Sequence, residues 1–296
     1  SLYVGGPLAL LGGKAYKDAL NYETAMADLG VATQTSGEEL EALNDEVLAL
    51  TETIPMSYTE LAALYSTLAM AGVPTDQLSE MTQIIAGLGA TTDVSAEASA
   101  AAMIKFMNVM GIPLDQVENF ASSLVALGSA GVSTGGEIFD MGQKMAATGN
   151  LAGLNAVEVL ALASSFSSMG INAEAGGSAA SKLIKQMQLA AETGRNLGGE
   201  MDDSGEMIDG FATVMGLSAD EFVASWGKSQ AGTILDFFSA LGKSAESGGD
   251  SVNVLLDTLG LTEVRLSNLI GTGASDPNFF REMIGLGEQA WEDNTA

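Results

Sequence analysis

A phrase spelled AGVPTDQLSEM from Ala71 to Met81 returns 39 residues later as MGIPLDQVENF from Met110 to Phe120. Each copy reads as a break between helices. Gly72 and Gly111 are of the residue type that ends a helix, because glycine enters the left-handed conformation without a side-chain clash. Val73 and Ile112 stand where an apolar side chain folds back onto the finished helix. Pro74 and Pro113 cannot continue that helix but suit the start of another, whose first turn Asp76 and Asp115 favour. Weaker forms, with a capping residue in place of proline, stand at Gly131-Val132-Ser133, Gly170-Ile171-Asn172, Gly216-Leu217-Ser218 and Gly260-Leu261-Thr262. Capping-box spacings at Ser36/Glu39, Ser57/Glu60 and Ser218/Glu221 predict further helix starts. A chain punctuated in this way has to fold as many short helices.

The 296 residues are enough for a large core or for two domains, and a hydrophobic content of 47% predicts that they fold. Charged residues make up only 17%, so some of the surface is expected to face protein and not water. The formal charge of −27 repels phosphate backbones, which argues against a grip on nucleic acid, and disfavours anionic membrane surfaces. The opening SLYVGGPLALLGG is too short to span a bilayer and has no basic leader, so it reads as an internal start. With neither cysteine nor histidine, the chain lacks thiol nucleophiles, His-based triads and the usual zinc ligands.

From Tyr22 a heptad seam runs through Met26, Leu29, Thr33, Ser36, Leu40, Leu43, Val47 and Leu50, weakening between Gly30 and Gly37. Two amphipathic helices with a joint, or one continuous coiled coil, satisfy it equally. Pro55 closes this section. From Ser57 to about Thr193 the pattern is a run of helices of roughly 15 residues. Within it, Ala86 to Lys105 and Ser167 to Lys185 resemble a degenerate duplication, ending in Met103-Ile104-Lys105 and Leu183-Ile184-Lys185. NLGGEMDDSG, within Arg195 to Gly205, is the best candidate boundary. The expected fold is all-α, a multi-helix array of short helices joined by Gly turns, with essentially no sheet. The expected divisions are a helical or coiled-coil segment over 1–54, a helical domain with the degenerate repeat over 55–195, and a helical subdomain over 206–296.

No catalytic, cofactor-binding or metal-ligating residue is nominated. Ser225-Trp226-Gly227-Lys228 has the Ser-x-x-Lys spacing but lacks the companion elements of serine acylases, so chance accounts for it better. Glu200, Asp202 and Ser204 before Gly205 imitate the start of a calcium loop, yet the twelfth position is Phe211, and a solvated acidic loop is the preferred reading. Glu60, Glu80, Glu118 and Glu221 read as first-turn or exposed-face acids. None of Gly13-Lys14, Gly227-Lys228 and Gly242-Lys243 carries a phosphate-loop pattern. Phe222 with Trp226, and Leu235 with Phe238, form a helical-spacing stripe best read as core, and the fifteen Met suggest adaptable packing.

Several phrases in order, NYETAMADLGVAT, LAALYSTLAMAGVPTDQL, SSMGINAEAGGSAASKLIKQM, FATVMGLSADEFVASWGKSQAGTILDFFSALG, LLDTLGLTEVRLSNLI and EQAWEDNTA, resemble the tail tape measure proteins of long-tailed bacteriophages and prophages. The resemblance covers most of Asn21 to Ala296. It implies a structural, non-enzymatic protein without cofactors, the helical portion of a longer chain that lies in the lumen of the tail tube, sets its length and leaves ahead of the DNA. The partners it implies are other copies of itself, the tail tube protein, tail assembly chaperones and distal tail or initiation proteins, with passage through the host cytoplasm during assembly and transient host-membrane contact at ejection. Two readings from other classes are a carboxylate-based cell-wall hydrolase fragment and a helical pore-forming or secreted effector.

Overall fold

The computed structural model describes residues 20–91, 96–195, 198–201, 207–247 and 251–294. Its helices end as the repeated phrase requires. At Gly72 (φ 95°) and Gly111 (φ 71°) the chain turns left-handed, and the next residue's amide reaches back five positions. Val73 N donates to the Leu68 carbonyl at 3.1 Å, and Ile112 N to the Met107 carbonyl at 2.8 Å. That bond satisfies one of the carbonyls a helix end leaves orphaned and holds Val73 buried against its own helix. The restart differs from expectation in one detail. Pro74 and Pro113 do not open the α-helix; each precedes a single 3₁₀ turn, Thr75–Gln77 or Leu114–Gln116, in which Asp76 and Asp115 sit. Each proline carbonyl accepts from the glutamine amide three residues on, and that bond closes the turn.

The same backward bond forms from Ile171 to Phe166, Leu217 to Ala212 and Leu261 to Leu256, and also, unforeseen, from Leu154 to Gly149. Gly131 is the exception. Its backbone is extended (φ −87°, ψ 177°), and a side chain there would run into the hydroxyls of Ser164 and Ser168. Space, not handedness, requires that glycine.

Capping boxes form at Ser57/Glu60 and Ser218/Glu221 as expected, and also at Thr134/Glu137 and Asn155/Glu158. The Ser36/Glu39 box does not form, because Gly37 takes the cap position without a side-chain bond. Thr262 likewise yields its cap position to Glu263, and Ser133 to Thr134.

The chain forms two compact units, residues 1–105 and 106–296. In the first, α1 (residues 20–33), α2 (Glu38–Leu50), α3 (Tyr58–Met70) and α4 (Leu78–Thr91) precede α5 (Ala96–Met110), which crosses the division. Positive φ at Gln34 (58°) and Gly37 (62°) separates α1 from α2, so the heptad seam is two helices with a joint. Leu29, Leu43, Val47 and Leu50 of the seam are buried, while Ser36 at the joint is exposed. Helix α3 lies against both α2 and α4. The core beneath it contains Leu61, Leu64, Tyr65, Leu68 and Ile85.

In the second unit come α6 (Val117–Ala130), α7 (Gly135–Ala152), α8 (Ala156–Ser168) and α9 (Ala173–Thr193), then α10 (Phe211–Met215), α11 (Ala219–Lys228) and α12 (Gln230–Glu246). Helices α13 (Val252–Thr258), α14 (Val264–Ser275) and α15 (Pro277–Asp293) complete it. Helix α7 packs on α8 and α9, α15 on α6 and α8, and α12 on α14. Glycines let these helices approach closely: a Cβ at Gly177 would sit 2.7 Å from Lys144 Cβ, and one at Gly242 would sit 2.6 Å from the Ala274 carbonyl oxygen.

Three aromatic clusters fill the core: Phe106–Phe120–Phe139, Phe166–Phe238–Phe280 and Phe211–Phe222–Phe237, with ring centroids 4.9 to 6.2 Å apart within each. The last two meet at Phe237 and Phe238.

The fold is all-α apart from one departure from expectation: Gly198–Met201 (β1) and Met207–Asp209 (β2) pair as a short antiparallel hairpin against α10. NLGGEMDDSG therefore contributes a strand, and it lies inside the second compact unit. The suggested duplication is not matched geometrically at its glycines, since Gly89 lies within α4 whereas Gly170 is a left-handed helix end.

Candidate functional site

The residues singled out for chemistry mostly have structural roles. Ser225 Oγ shares a 2.9 Å hydrogen bond with Thr233 Oγ1, which ties α11 to α12. Phe222, Trp226, Leu235 and Phe238 are buried core, as their spacing predicts. Glu60, Glu80, Glu118 and Glu221 all stand in first turns of helices. Gly227 and Gly242 lie within helices, where their amides are not gathered into a loop, and Gly13-Lys14 lies outside the described residues. Asp202, Ser204 and Gly205 of the calcium-like loop also lie outside them. Among the described residues no group of three or more metal-ligating side chains is placed to hold an ion, and no helix is long and apolar enough to cross a membrane.

The structure instead shows recesses between helices in both units. In the first unit, α1 and α3 border a groove of about 930 Å³. Their relation is set at one end by Asn44 of α2, whose buried Oδ1 accepts from Tyr22 Oη (2.9 Å) and Tyr58 Oη (2.7 Å), while the two rings lie 4.5 Å apart. Burial, and secondarily the neighbouring Tyr22, pushes the Tyr58 pKa up to about 12, so the Tyr58 hydroxyl keeps its proton throughout the ordinary pH range. Along the groove α1 presents Thr24, Ala25, Asp28 and Val31, and α3 presents Ala63, Ser66, Thr67 and Met70. Steps of three and four residues put each set on one helical face. Val31 and Met70 are 79% and 72% exposed, unusual for apolar side chains on packed helices.

The groove's one charged lining residue is Asp28, and the helices that carry the groove are acidic. Residues 20–91 hold eleven Asp or Glu and not a single Lys or Arg. Helices α2, α3 and α4 accordingly end without a basic residue in the last turn, leaving their negative dipole ends without a countercharge from that turn.

In the second unit a recess of about 540 Å³ is lined by the Gly111-Ile112 joint, Asn155, Glu288 and Trp291. Beside it, burial raises the Glu158 carboxyl above its usual range, Glu288 adds to the rise, and the capping bond from Asn155 N opposes it. The ion pairs of the described residues all lie in this unit: Lys144 with Glu174, Lys182 with Glu263, and Arg281 with Asp236. All three are exposed enough to contribute little to stability.

The class this geometry defines is an all-α packing protein, with helix joints and helix-bordered grooves as its prominent features. The chain belongs to the phage-related minor tail protein family, whose model matches residues 44–238, more than half of its length, from α2 into α12. No curated protein and no solved structure shows a significant match. The chain is therefore a structural component of a phage tail.

Proposed function

We propose that this chain is the helical portion of a tail tape measure protein, which helps to set tube length and takes part in tail assembly and DNA ejection. The observation that carries the reading is the construction of the family segment. Among the described residues of 44–238, short helices follow one another, and left-handed joints at Gly72, Gly111, Gly153, Gly170 and Gly216 separate many of them, each closed by a few backbone hydrogen bonds. Such joints open at modest local cost, which suits a chain that must pass along a narrow channel. The ordered phrases that resemble tape measure proteins point the same way, and the charge of −27 suits a protein that precedes DNA without holding it. On this reading its partners are other copies of the chain, the tail tube and the assembly and initiation proteins, and its place is the tube lumen.

Tail length in phage carrying an in-frame deletion of Ser57 to Thr193 tests the proposal by negative-stain microscopy. Tails shortened by about 1.5 Å per deleted residue identify the segment as ruler in extended helical form. Tails of normal length that fail to deliver DNA assign it to ejection. Normal, infectious particles overturn the proposal for this region.

A further inference from the structure

We propose that the groove between α1 and α3 is the docking site for an amphipathic helix of a partner protein, one with a narrow face of Ala and Leu flanked by Lys or Arg. The inference does not depend on the length-setting role. Two helices facing each other across small side chains, Ala25 on one side and Ala63 and Ser66 on the other, leave the close approach a third helix needs. The lining on α1 runs over about three turns, or roughly 15 Å at the α-helical rise, enough for a partner to set three or four anchor residues in it. Val31 and Met70 offer apolar walls that no other part of the described chain covers to any great extent.

Charge decides which helix fits. Asp28 lies in the groove, the α3 C-terminus beside Met70 has no basic residue in its last turn, and residues 20–91 hold eleven carboxylates without a single compensating cation. A basic helix gains from all three, and its capture is steered over about a Debye length, ~8 Å at physiological salt. A second copy of this unit brings the same excess of negative charge to the groove, so like-charge repulsion selects against self-association here.

The test is binding, by fluorescence anisotropy, of a synthetic helical peptide with an Ala/Leu face and Lys flanks to the full chain. The expected result is saturable binding that weakens with salt, falls at least tenfold in the Val31→Glu, Met70→Glu double variant and severalfold in Asp28→Lys, and is absent for a Glu-flanked peptide. The variant side chains already project to solvent, and unchanged far-UV circular dichroism confirms that folding is intact. Equal binding by a peptide of the same composition with its apolar face scrambled overturns the proposal, as does binding indifferent to the groove variants. Dimers of the chain that dissociate on Val31→Glu, Met70→Glu overturn it in favour of a second copy. Binding seen only after deletion of residues 1–19 overturns it in favour of the chain's own leading segment.

Discussion

The hydroxyl of Ser123, on α6, donates to the carbonyl of Gly287, on α15, at 2.9 Å across 164 residues of sequence. Around it, Asn119 Nδ2 donates to the Trp291 carbonyl at 2.6 Å and Asn294 Nδ2 to Glu118 Oε2 at 2.9 Å, so the last helix is strapped along α6 by polar bonds at several points. Gly287 also lets α15 lie close to α8, for a Cβ there would stand 2.8 Å from Val157 Cγ1, while Leu127 of α6 would be at an ordinary 3.5 Å.

Two glycines two positions apart in α15 therefore respond oppositely to alanine. Gly285→Ala meets nothing within 4 Å and should stabilise by about 0.5–1 kcal/mol through helix propensity. Gly287→Ala should destabilise by about 1–3 kcal/mol through overpacking. Urea denaturation of the two variants checks the sign, and stabilisation by Gly287→Ala would remove the case for a tight α15–α8 contact.

The joints make a different demand. At Gly111 an added Cβ meets open space, but φ is 71°, so Gly111→Ala should cost about 1–2 kcal/mol from backbone strain alone. Gly111→Asn should recover part of that loss, since asparagine tolerates the left-handed region better. Equal stability of all three proteins in denaturant titrations would mean that the joint is not closed in solution.

Asn44 is buried and accepts from two tyrosine hydroxyls. Asn44→Leu should cost about 2–3 kcal/mol, because it leaves both hydroxyls without their acceptor. Adding Tyr22→Phe and Tyr58→Phe should restore a large part of the stability; a multiple-mutant cycle by thermal melting measures the coupling.

Thr82 presents the opposite case. Its hydroxyl is fully buried and makes no hydrogen bond. Thr82→Val removes that desolvated group at nearly constant shape and should stabilise by on the order of 1 kcal/mol. A loss of stability in the same chemical denaturation would show that the hydroxyl has a partner in solution.

Alkaline pH should weaken the first unit. Burial, reinforced by Glu46, holds the Tyr65 pKa at about 12 against the ordinary tyrosine value of 10.0, with the Ser79 hydrogen bond opposing. The folded form keeps its proton longer than the unfolded form. Stability is thus unaffected below about pH 10 and is lost progressively between 10 and about 12, by on the order of 2 kcal/mol for this group. Tyr65→Phe should move the alkaline unfolding midpoint upward, as followed by circular dichroism alongside tyrosinate absorbance.

Much of this architecture was legible in residue order because its causes are local. A helix end needs a left-handed residue and an apolar latch within one turn, so Gly72-Val73, Gly111-Ile112, Gly170-Ile171 and Gly216-Leu217 declared themselves. Ser57/Glu60 and Ser218/Glu221 did so for the same reason. Where two adjacent residues could serve, as with Ser36 and Gly37, local signals did not choose between them. The division near residue 105 also left a compositional trace: all five Tyr precede it, and all ten Phe and both Trp follow it.

The α1–α3 groove was not legible. Thr24, Asp28, Ala63 and Met70 carry no shared pattern, and only the packing of α1 and α3, joined through Asn44, brings them into one recess. Gly131 read as a left-handed joint and Gly287 as an ordinary helical glycine, and only Ser168 and Val157, which pack beside them, make each a matter of space. The sequence by itself determined where helices stop and start, how much charge the chain carries and that it holds neither cysteine nor histidine, because each follows from one residue or from neighbours within a turn. Only the tertiary structure decided which faces meet, which glycines are needed for space and which apolar side chains stay uncovered, because these depend on contacts between segments far apart in the chain.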